Sequence, residues 1–402
     1  MSRRLTSRSP DLLRLENAGY ELDELEGHLV INHIPYVTVA KTIAYGSLVS
    51  RLELAGDRTI KPTDHVAYFI GAVPCDKLGQ RMDRLVNNPC PQALTSTLTA
   101  DCSFSSKPPE GYSDYFEKMT RYIEIVANEA KAIDPAVTAQ TYPVVVADDE
   151  DGSVFEYVDT ASARAGIAPV AAKLGGASVA IIGLGGTGAY ILDQVAKTPV
   201  KRILLFDGDQ FVQHNAFRGP GAPSRNELAA APAKVDYWAS IYRRMHKGVE
   251  PHACYLDEGN SATFLAGLDF VFIAMDRSEA KALIIGALET AGIPFIDCGI
   301  GLYEVDGRLG GVARVTTSTP GHRDHVMSRI PASDGDDDDL YATNIQVADL
   351  NALNAVLAVI RWKKLAGFYN DLGGEHHSTY SLDVDGMTNE EILGDAAVED
   401  AA

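Results

Sequence analysis

The sequence predicts an α/β chain of two domains, in which a doubly wound, mostly parallel sheet of the Rossmann-like kind follows a smaller α+β domain. The apolar run Val179–Ile182 leads into a glycine-rich loop, which is typical of a buried parallel strand followed by a tight turn and a helix. Apolar runs over Arg202–Phe206 and Phe270–Met275 indicate further buried strands. The length of 402 residues leaves room for a second domain before this sheet.

The loop after the first strand reads Gly-Leu-Gly-Gly-Thr-Gly and precedes a helix expected over Ala189–Lys197. Glycines let the chain turn sharply and let its backbone approach phosphate oxygens, and a helix N-terminus adds unpaired N–H groups with partial positive charge. The glycines expected to hold a nucleotide are Gly183, Gly185, Gly186 and Gly188. The same spacing fits the dinucleotide loop of dehydrogenases, so the loop alone leaves ATP and NAD open.

The second predicted strand ends in Asp207-Gly208-Asp209, about 20 residues beyond the glycines, where a carboxylate can accept hydrogen bonds from ribose hydroxyls. We expect both Asp207 and Asp209 at the nucleotide site. An aspartate at this position is expected both for an ATP-binding protein and for a dehydrogenase. Asp207 also fits the simpler interpretation of a residue that ends a strand and begins a turn.

Four residues downstream distinguish the two nucleotides: Asn215, Arg218, Lys234 and Asp276. A triphosphate with magnesium needs cations to neutralise the phosphates and a carboxylate to hold the metal, whereas hydride transfer needs neither. The set therefore favours ATP. Two simpler interpretations remain open, because an exposed lysine at a helix start is common and Asp276 fits the N-cap of a helix beginning at Ser278.

From roughly Arg164 to the C-terminus the chain resembles the ThiF/MoeB and ubiquitin-activating-enzyme family, whose members adenylate the C-terminal carboxylate of a ubiquitin-like or sulfur-carrier protein. The resemblance implies that the glycine loop holds ATP and that Asp207 holds the ribose. It implies phosphate contacts from Asn215, Arg218 and Lys234, and a magnesium ion on Asp276. Arg218, Lys234 and Asp276 form the implied catalytic set, which would stabilise charge on the departing pyrophosphate.

The resemblance also implies a homodimer, a ubiquitin-like partner with a Gly-ending tail and a downstream conjugating enzyme. Relatives place an N-terminal arginine in the active site of the dimer partner, and Arg164 is the candidate here. A solvated arginine at a helix start is the alternative for Arg164. The region before the resemblance is similar to an accessory domain that precedes the adenylating domain in some bacterial relatives.

The chain departs from the family pattern at several positions. Relatives commonly carry glutamine and asparagine where this chain has Gly219 and Arg277. It lacks the two C-x-x-C pairs that hold a structural zinc, so no zinc is expected. It also has no cysteine after Cys298, where covalent relatives keep their thioester cysteine. Cys298 follows the apolar segment Ile293–Asp297, at an expected strand end, and is either a minor candidate nucleophile or a buried structural thiol.

The composition excludes several classes of partner. The formal charge of −20 argues against nucleic acid and anionic membranes and favours a protein partner with a basic face. No run approaches the ~18 apolar residues of a spanning helix. Five cysteines without metal-ligand spacing suggest free thiols in a reducing compartment, so we expect a cytoplasmic protein.

We expect an α+β domain over residues 1–155 and the adenylation domain over 160–402, with a crossover loop at about 317–341 that contains the acidic run Asp336–Asp339. A long helix is predicted over Asn344–Ala366, and a strand over Ser378–Val384, before a polar tail. The apolar face predicted for that helix consists of Val347, Leu350, Leu353, Leu357 and Ile360. The elements predicted in the first domain are strands over 28–34 and 65–71, a helix over 115–133 and a β-hairpin that pairs 143–147 with 153–158.

The sequence therefore predicts an ATP-dependent activating enzyme for the C-terminus of a ubiquitin-like protein. Two rival functions remain. An NAD-linked oxidoreductase agrees with the glycines and Asp207, but no obvious proton-relay histidine lies near the expected cleft. A catalytically silent nucleotide-binding module agrees with the missing thioester cysteine.

Overall fold

The computed structural model describes residues 3–147, 152–276, 279–330 and 345–390. These residues form two compact units, one over 1–153 with 157–164 and the other over 154–156 with 165–402. No helix in the described ranges is long and apolar enough to cross a membrane. The predicted fold, an α+β domain followed by a doubly wound and mostly parallel sheet, is confirmed.

The first unit is built on an antiparallel sheet with one long helix packed on it. Its helices are α1 (Arg3–Arg8), α2 (Pro10–Asn17), α3 (Tyr115–Lys131) and α4 (Thr160–Arg164). Its strands are β1 (Leu22–Leu25), β2 (His28–Val37), β3 (Ile43–Arg51), β4 (Leu54–Ala55), β5 (Arg58–Thr59), β6 (Val66–Ile70), β7 (Val86–Asn88), β8 (Gln92–Ala93), β9 (Thr99–Ala100) and β10 (Cys102–Ser105). The main sheet has the order β1-β2-β3-β6-β10-β7, and β4–β5 and β8–β9 form two small pairs.

Helix α3 forms because its N-cap and its apolar stripe agree. The Asp114 side chain accepts a hydrogen bond from the Glu117 N–H and so caps the helix. Tyr115, Met119 and Tyr122 recur at helical spacing and are buried with residues of β2 and β3 in one core. This unit therefore has a hydrophobic core of its own.

The predicted β-hairpin of the first unit is wrong in its extent. Among the described residues of that region, Val146 and Tyr157 form a single bridge, and residues 148–151 lie outside the described ranges. Phe155 instead forms a bridge with His246 of the second unit, to which residues 154–156 belong. A stretch that alternates in sequence thus does not pair as two strands.

The second unit contains one sheet covered on both faces. Its helices are α5 (Ala168–Ala171), α6 (Gly186–Val195), α7 (Gln213–Ala216), α8 (Arg225–Ala230), α9 (Lys234–Tyr242), α10 (Ser261–Leu265), α11 (Glu279–Ala291), α12 (Val326–Arg329) and α13 (Ala348–Leu365), with 3-10 turns over Ala172–Leu174 and Leu382–Val384. Its strands are β11 (Ser178–Ile182), β12 (Arg202–Phe206), β13 (Val249–His252), β14 (Phe270–Ile273), β15 (Phe295–Val305), β16 (Arg308–Ser318), β17 (His377–Ser381) and β18 (Gly386–Glu390).

The strand order is β13-β12-β11-β14-β15-β16-β17-β18, in which the first five strands are parallel and the last three antiparallel. Val179 and Ile181 pack with α6, α9 and α13 on one face, whereas Ala180 and Ile182 pack with α10 and α11 on the other. Burial on both faces explains the continuous apolar run. The chain leaves β11 toward β12 on one side and returns to β14 on the other, so a crevice opens at the carboxyl ends of these strands.

Three predicted elements differ from the structure. Helix α6 begins at Gly186, three residues before the predicted start, and ends at Val195. Strand β15 does not end at Asp297 but continues to Val305, because residues beyond Asp297 pair with β16. Strand β17 ends at Ser381, and a 3-10 turn replaces the rest of the predicted strand.

The predicted crossover loop is only partly a loop. Thr317 and Ser318 belong to β16, and α12 packs through Val326 against the core beneath the sheet. The acidic run at 336–339 and residues up to 344 lie outside the described ranges, as does the polar tail from 391. The crossover loop itself therefore stays a prediction.

Candidate functional site

The glycine loop lies at the carboxyl end of β11, where steric contacts exclude larger residues. Gly183 has a φ of +89°, and an added Cβ there would overlap the Ala274 carbonyl. An added Cβ on Gly188 would overlap the carbonyl of Gly183. At Gly185, which caps the N-terminus of α6, a Cβ would meet no atom within 4 Å. The loop is thus closely packed on one side and open at Gly185, where its N–H groups can meet an anion.

Asp207 uses both of its carboxylate oxygens, one on the glycine loop and one on the turn that follows β12. Its Oδ2 accepts the Leu184 N–H at 2.7 Å, and its Oδ1 accepts the Asp209 N–H at 2.8 Å. The side chain is buried at the end of β12. Asp207 therefore ties the second strand to the glycine loop, and this structural role is one that the sequence pattern does not reveal.

Lys234 is buried at the start of α9, so it is not the exposed helix lysine that its sequence position also allowed. Its Nζ lies 2.6 Å from Asp209 Oδ2 and 3.6 Å from Asp207 Oδ2, and its side chain is 8% exposed. The Lys234 N–H also donates to the Asp209 carbonyl at 2.9 Å. One cation is thus held beside two carboxylates, one of which, Asp207, is bonded to the glycine loop.

Tyr255 completes this charged group, although sequence reasoning did not single it out. Its hydroxyl donates to Asp209 Oδ1, and its ring lies against Gly208. The hydrogen bond from Lys234, followed by that from Tyr255, lowers the pKa of Asp209. The bond to Asp209 raises the pKa of Tyr255 to about 12. No local signal marks Tyr255, which lies beyond β13, far along the chain from its partners.

Asn215 and Arg218 each present a buried donor without a partner among the described residues. Asn215 Oδ1 accepts the Val212 N–H at 2.9 Å, which closes the first turn of α7, but its Nδ2 has no hydrogen bond. Arg218 Nε is likewise buried and unbonded, and its positive charge helps to lower the pKa of Asp209. Leaving such a donor unsatisfied costs about 1–3 kcal/mol, so this geometry suits a ligand that brings acceptor oxygens.

Asp276 lies three residues beyond β14, at the same edge of the sheet as the glycine loop. It is exposed, and it follows Ala274, whose carbonyl closes on Gly183. Arg277, a departure from the family pattern, and Ser278, the expected start of a helix, lie outside the described ranges. The structure therefore brings Asp276 to the edge that carries the glycines, Asp207 and Lys234.

Comparison with known proteins identifies both parts of the chain. Residues 161–356 match the ThiF family. This part of the chain is a ThiF domain. Residues 10–160 match a family described as a domain of unknown function, DUF6791. The chain matches no curated protein.

Several solved structures resemble the chain at low identity. E. coli MccB with succinimide is 18% identical over 55% of this chain and 66% of that chain, with a TM-score of 0.42. E. coli MccB with ATP is 17% identical over the same shares, with a TM-score of 0.44. PaaA is 18% identical over 68% of this chain and 82% of that chain, with a TM-score of 0.45. The chain thus spans slightly less than two thirds of these two MccB chains.

Two further candidate residues, Arg164 and Cys298, have local surroundings of different kinds. Arg164 is exposed in α4 of the first unit, where its guanidinium lies 5.9 Å from the centroid of the Tyr142 ring. Cys298 lies inside β15 and not at a strand end, and its side chain packs in the main core of the ThiF domain. Burial, and then the neighbouring Asp297 carboxylate, raise the pKa of Cys298 to about 12. This environment suits a structural thiol and disfavours a nucleophile.

The buried face of helix α13 in the ThiF domain agrees only in part with the predicted one. Leu350 of the predicted apolar face is buried and Leu357 packs against the core, but Ile360 is exposed. Asn351, Asn354 and Ala355, which were not part of the predicted face, are buried. Ala355 and residues one and two turns later pack against the sheet with α6. The two asparagines, one turn apart in a stretch that is otherwise apolar from Leu350 to Ile360, are the signal that could have indicated this face.

Proposed function

We propose that the ThiF domain catalyses the ATP-dependent adenylation of a protein's C-terminal carboxylate, giving an acyl-adenylate and pyrophosphate. The observation that supports this proposal most is the pair of unbonded, buried donors on Asn215 and Arg218, together with the charge interaction of Arg218 with Asp209, the partner of Lys234. Together with the open side of the glycine loop, these groups suit a polyphosphate better than a neutral ligand. The partner we propose is a ubiquitin-like or sulfur-carrier protein whose tail ends in glycine.

The chemistry needs charge stabilisation and no general base. A C-terminal carboxylate has a reference pKa of about 3.5 and is already ionised at neutral pH. Its oxygen forms a bond to the α-phosphorus of ATP while the bond to the β-phosphate breaks. Carboxylate and triphosphate repel each other, and Arg218 and Lys234 offset this repulsion and stabilise the departing pyrophosphate.

Asp276 is the residue that would hold Mg²⁺. Mg²⁺ in nucleotide sites binds one or two carboxylates and completes its shell with phosphates and water, which fits an exposed carboxylate at this edge. No group of three His, Cys, Asp or Glu side chains within the described ranges is placed to hold an ion, so the phosphates would supply ligands. When bound, the ion would supply positive charge against the phosphates.

The remaining parts of the proposal concern partners. The net charge of −20 favours an activated protein with a basic face. We include a homodimer in which Arg164 of one protomer reaches the phosphates of the other, a cytoplasmic location and a downstream conjugating enzyme that receives the activated tail. Because Cys298 is buried with a raised pKa, we propose that the ThiF domain itself forms no thioester.

Pyrophosphate exchange tests the proposed reaction. With a small β-grasp protein that ends in glycine, the full-length protein should exchange labelled pyrophosphate into ATP. Arg218→Ala should lower the rate by roughly 10²–10³-fold, the range for removing one electrostatic stabiliser. Arg225→Ala, an exposed arginine on the nearby helix α8, is the matched control and should retain the rate. Equal rates for the two variants would contradict the role of Arg218.

Thermal protection separates the rival functions. Mg-ATP should raise the unfolding temperature of the wild-type protein, and Asp276→Asn should remove the magnesium-dependent part of that rise without lowering the temperature of the free protein. Protection by NAD and not by ATP would favour an oxidoreductase. Protection by ATP without exchange for any Gly-ending β-grasp protein would favour a silent binding module.

A further inference from the structure

Helix α13 places a nearly completely buried amide against the nucleotide loop. Asn351 is 1% exposed and lies among apolar neighbours. An amide in such surroundings is costly unless it is hydrogen-bonded. Its Oδ1 accepts the Thr187 hydroxyl at 2.9 Å, and its Nδ2 donates to the Arg218 carbonyl at 3.4 Å. Both polar ends of the amide are therefore used.

The two partners of Asn351 belong to different segments of the site. Thr187 lies in the first turn of α6, within the glycine loop, whereas Arg218 follows α7. Gly186 fixes the contact further, because an added Cβ there would overlap the Asn351 side chain. The Asn351 amide is thus packed against the glycine-loop backbone at Gly186 and is bonded to the main chain of Arg218, the arginine proposed to contact phosphate.

A second asparagine anchors the helix to the sheet. Asn354 is fully buried one turn later, and its Nδ2 donates to the Gly299 carbonyl at 3.1 Å. Gly299 lies in β15, just beyond the residues that pair with β14. Through its two amides, α13 therefore contacts three segments that meet at the carboxyl edge. This arrangement leaves Asn351 little freedom to shift.

We propose that Asn351 is a positioning residue for the adenylation reaction, holding the Asn215–Arg218 segment in register with the glycine loop. The inference rests on the proposed function. Arg218 Nε is buried and unbonded, and Asn351 bonds to the carbonyl of the same residue, so the position of the Arg218 backbone depends on Asn351. A displacement of about 1 Å at such a group can cost about 10²-fold in rate, because stabilisation of the transition state depends on alignment.

The test is steady-state pyrophosphate exchange by the full-length protein, with kcat and the KM for ATP measured per folded molecule. Asn351→Ala should lower kcat by about 10²-fold and change the KM for ATP by much less, because the donors are present but misaligned. Val356→Ala, an exposed position on the same helix, should leave both constants unchanged. A lower unfolding temperature with unchanged kcat would make Asn351 merely structural and overturn the proposal.

Thr187 provides a second test, of which the single variant does not depend on Asn351→Ala folding. Thr187→Val removes the hydroxyl that binds Asn351 at a half-buried position and should lower kcat in the same direction. Because the two side chains act as one unit, the double variant should lose no more than Asn351→Ala alone. Losses that simply multiply would overturn the coupling. A wild-type protein that neither binds Mg-ATP nor exchanges pyrophosphate would instead overturn the proposed function, and the positioning role with it.

Discussion

Asp297 offers the sharpest test of how charge is accommodated inside the ThiF domain. It is completely buried in β15, and it lies between two cations. Its Oδ1 is 2.6 Å from Lys281 Nζ, and its Oδ2 is 2.6 Å from Arg314 Nη2. The side chains of Lys281 and Arg314 are 3% and 15% exposed. The buried Asp297 carboxylate therefore pairs with two cations that have little contact with water.

We predict that Asp297→Asn destabilises this domain far more than Lys281→Met. The asparagine keeps the shape but removes the negative charge that both cations contact, and breaking a buried pair in this way costs about 3–5 kcal/mol. That is a large part of a typical stability of about 5–15 kcal/mol. At about 2–4 °C per kcal/mol for a domain of this size, the unfolding temperature should fall by roughly 6–20 °C. Lys281→Met leaves Asp297 paired with Arg314.

Tryptophan fluorescence during urea unfolding measures this difference in the second unit alone, because Trp238 and Trp362 are the only tryptophans of the chain and both lie there. The free energies of unfolding should be compared at pH 7 with equal slopes, since a changed slope would indicate a different denatured state. The reasoning would be refuted if Asp297→Asn were no less stable than Lys281→Met.

Three further predictions concern thiols, pH and domain limits. Iodoacetamide at pH 8 should alkylate the exposed Cys90 first, whereas Cys298, whose pKa is raised to about 12, should react only after unfolding. Mass spectrometry of the peptides measures the order of alkylation, and the reverse order would contradict this prediction. Because Lys234 lowers the pKa of Asp209, the pair stabilises the fold above the unfolded carboxyl pKa of about 3.9 and loses this effect as the pH falls through the lower folded value. Lys234→Met should therefore move the Asp209 carboxyl titration, followed by NMR, to higher pH, and an unmoved titration would contradict the ion pair. A fragment that begins at residue 154 should melt at a higher temperature than one that begins at 165, because residues 154 and 156 form backbone hydrogen bonds with residues 247 and 245. Equal melting temperatures of the two fragments would count against that contact.

The parts of the fold that could be predicted from sequence are those with local signals. A strand buried on both faces gives an uninterrupted apolar run, and a turn that excludes a Cβ needs glycine, so β11, its loop and β12 were predictable. Asp207 followed from its distance to the glycines. The ThiF resemblance of this half is confirmed, whereas the roles of the individual site residues stay predictions.

The parts that could not be predicted depend on distant contacts. Beyond Asp297 the sequence Cys-Gly-Ile-Gly resembles a loop, and only pairing with β16 makes it strand. The leucines of α13 predicted only part of its buried face, because the contacts of Asn351 with Gly186 and the main chain of Arg218 cannot be read from the helix itself. Tyr255 and Lys234 join Asp209 from other elements, and no spacing rule connects them.

Strand β15 has a consequence for how this protein can diverge. Only Phe295–Asp297 pairs with the parallel sheet, and the rest of the strand pairs with β16 alone up to a turn at Asp306-Gly307. Residues can therefore be added or lost at that turn in pairs without altering the register of the parallel strands. The length of this hairpin is free to vary while the carboxyl edge of the parallel strands is preserved, so sequence change there can alter the contacts of the hairpin without altering the glycine loop.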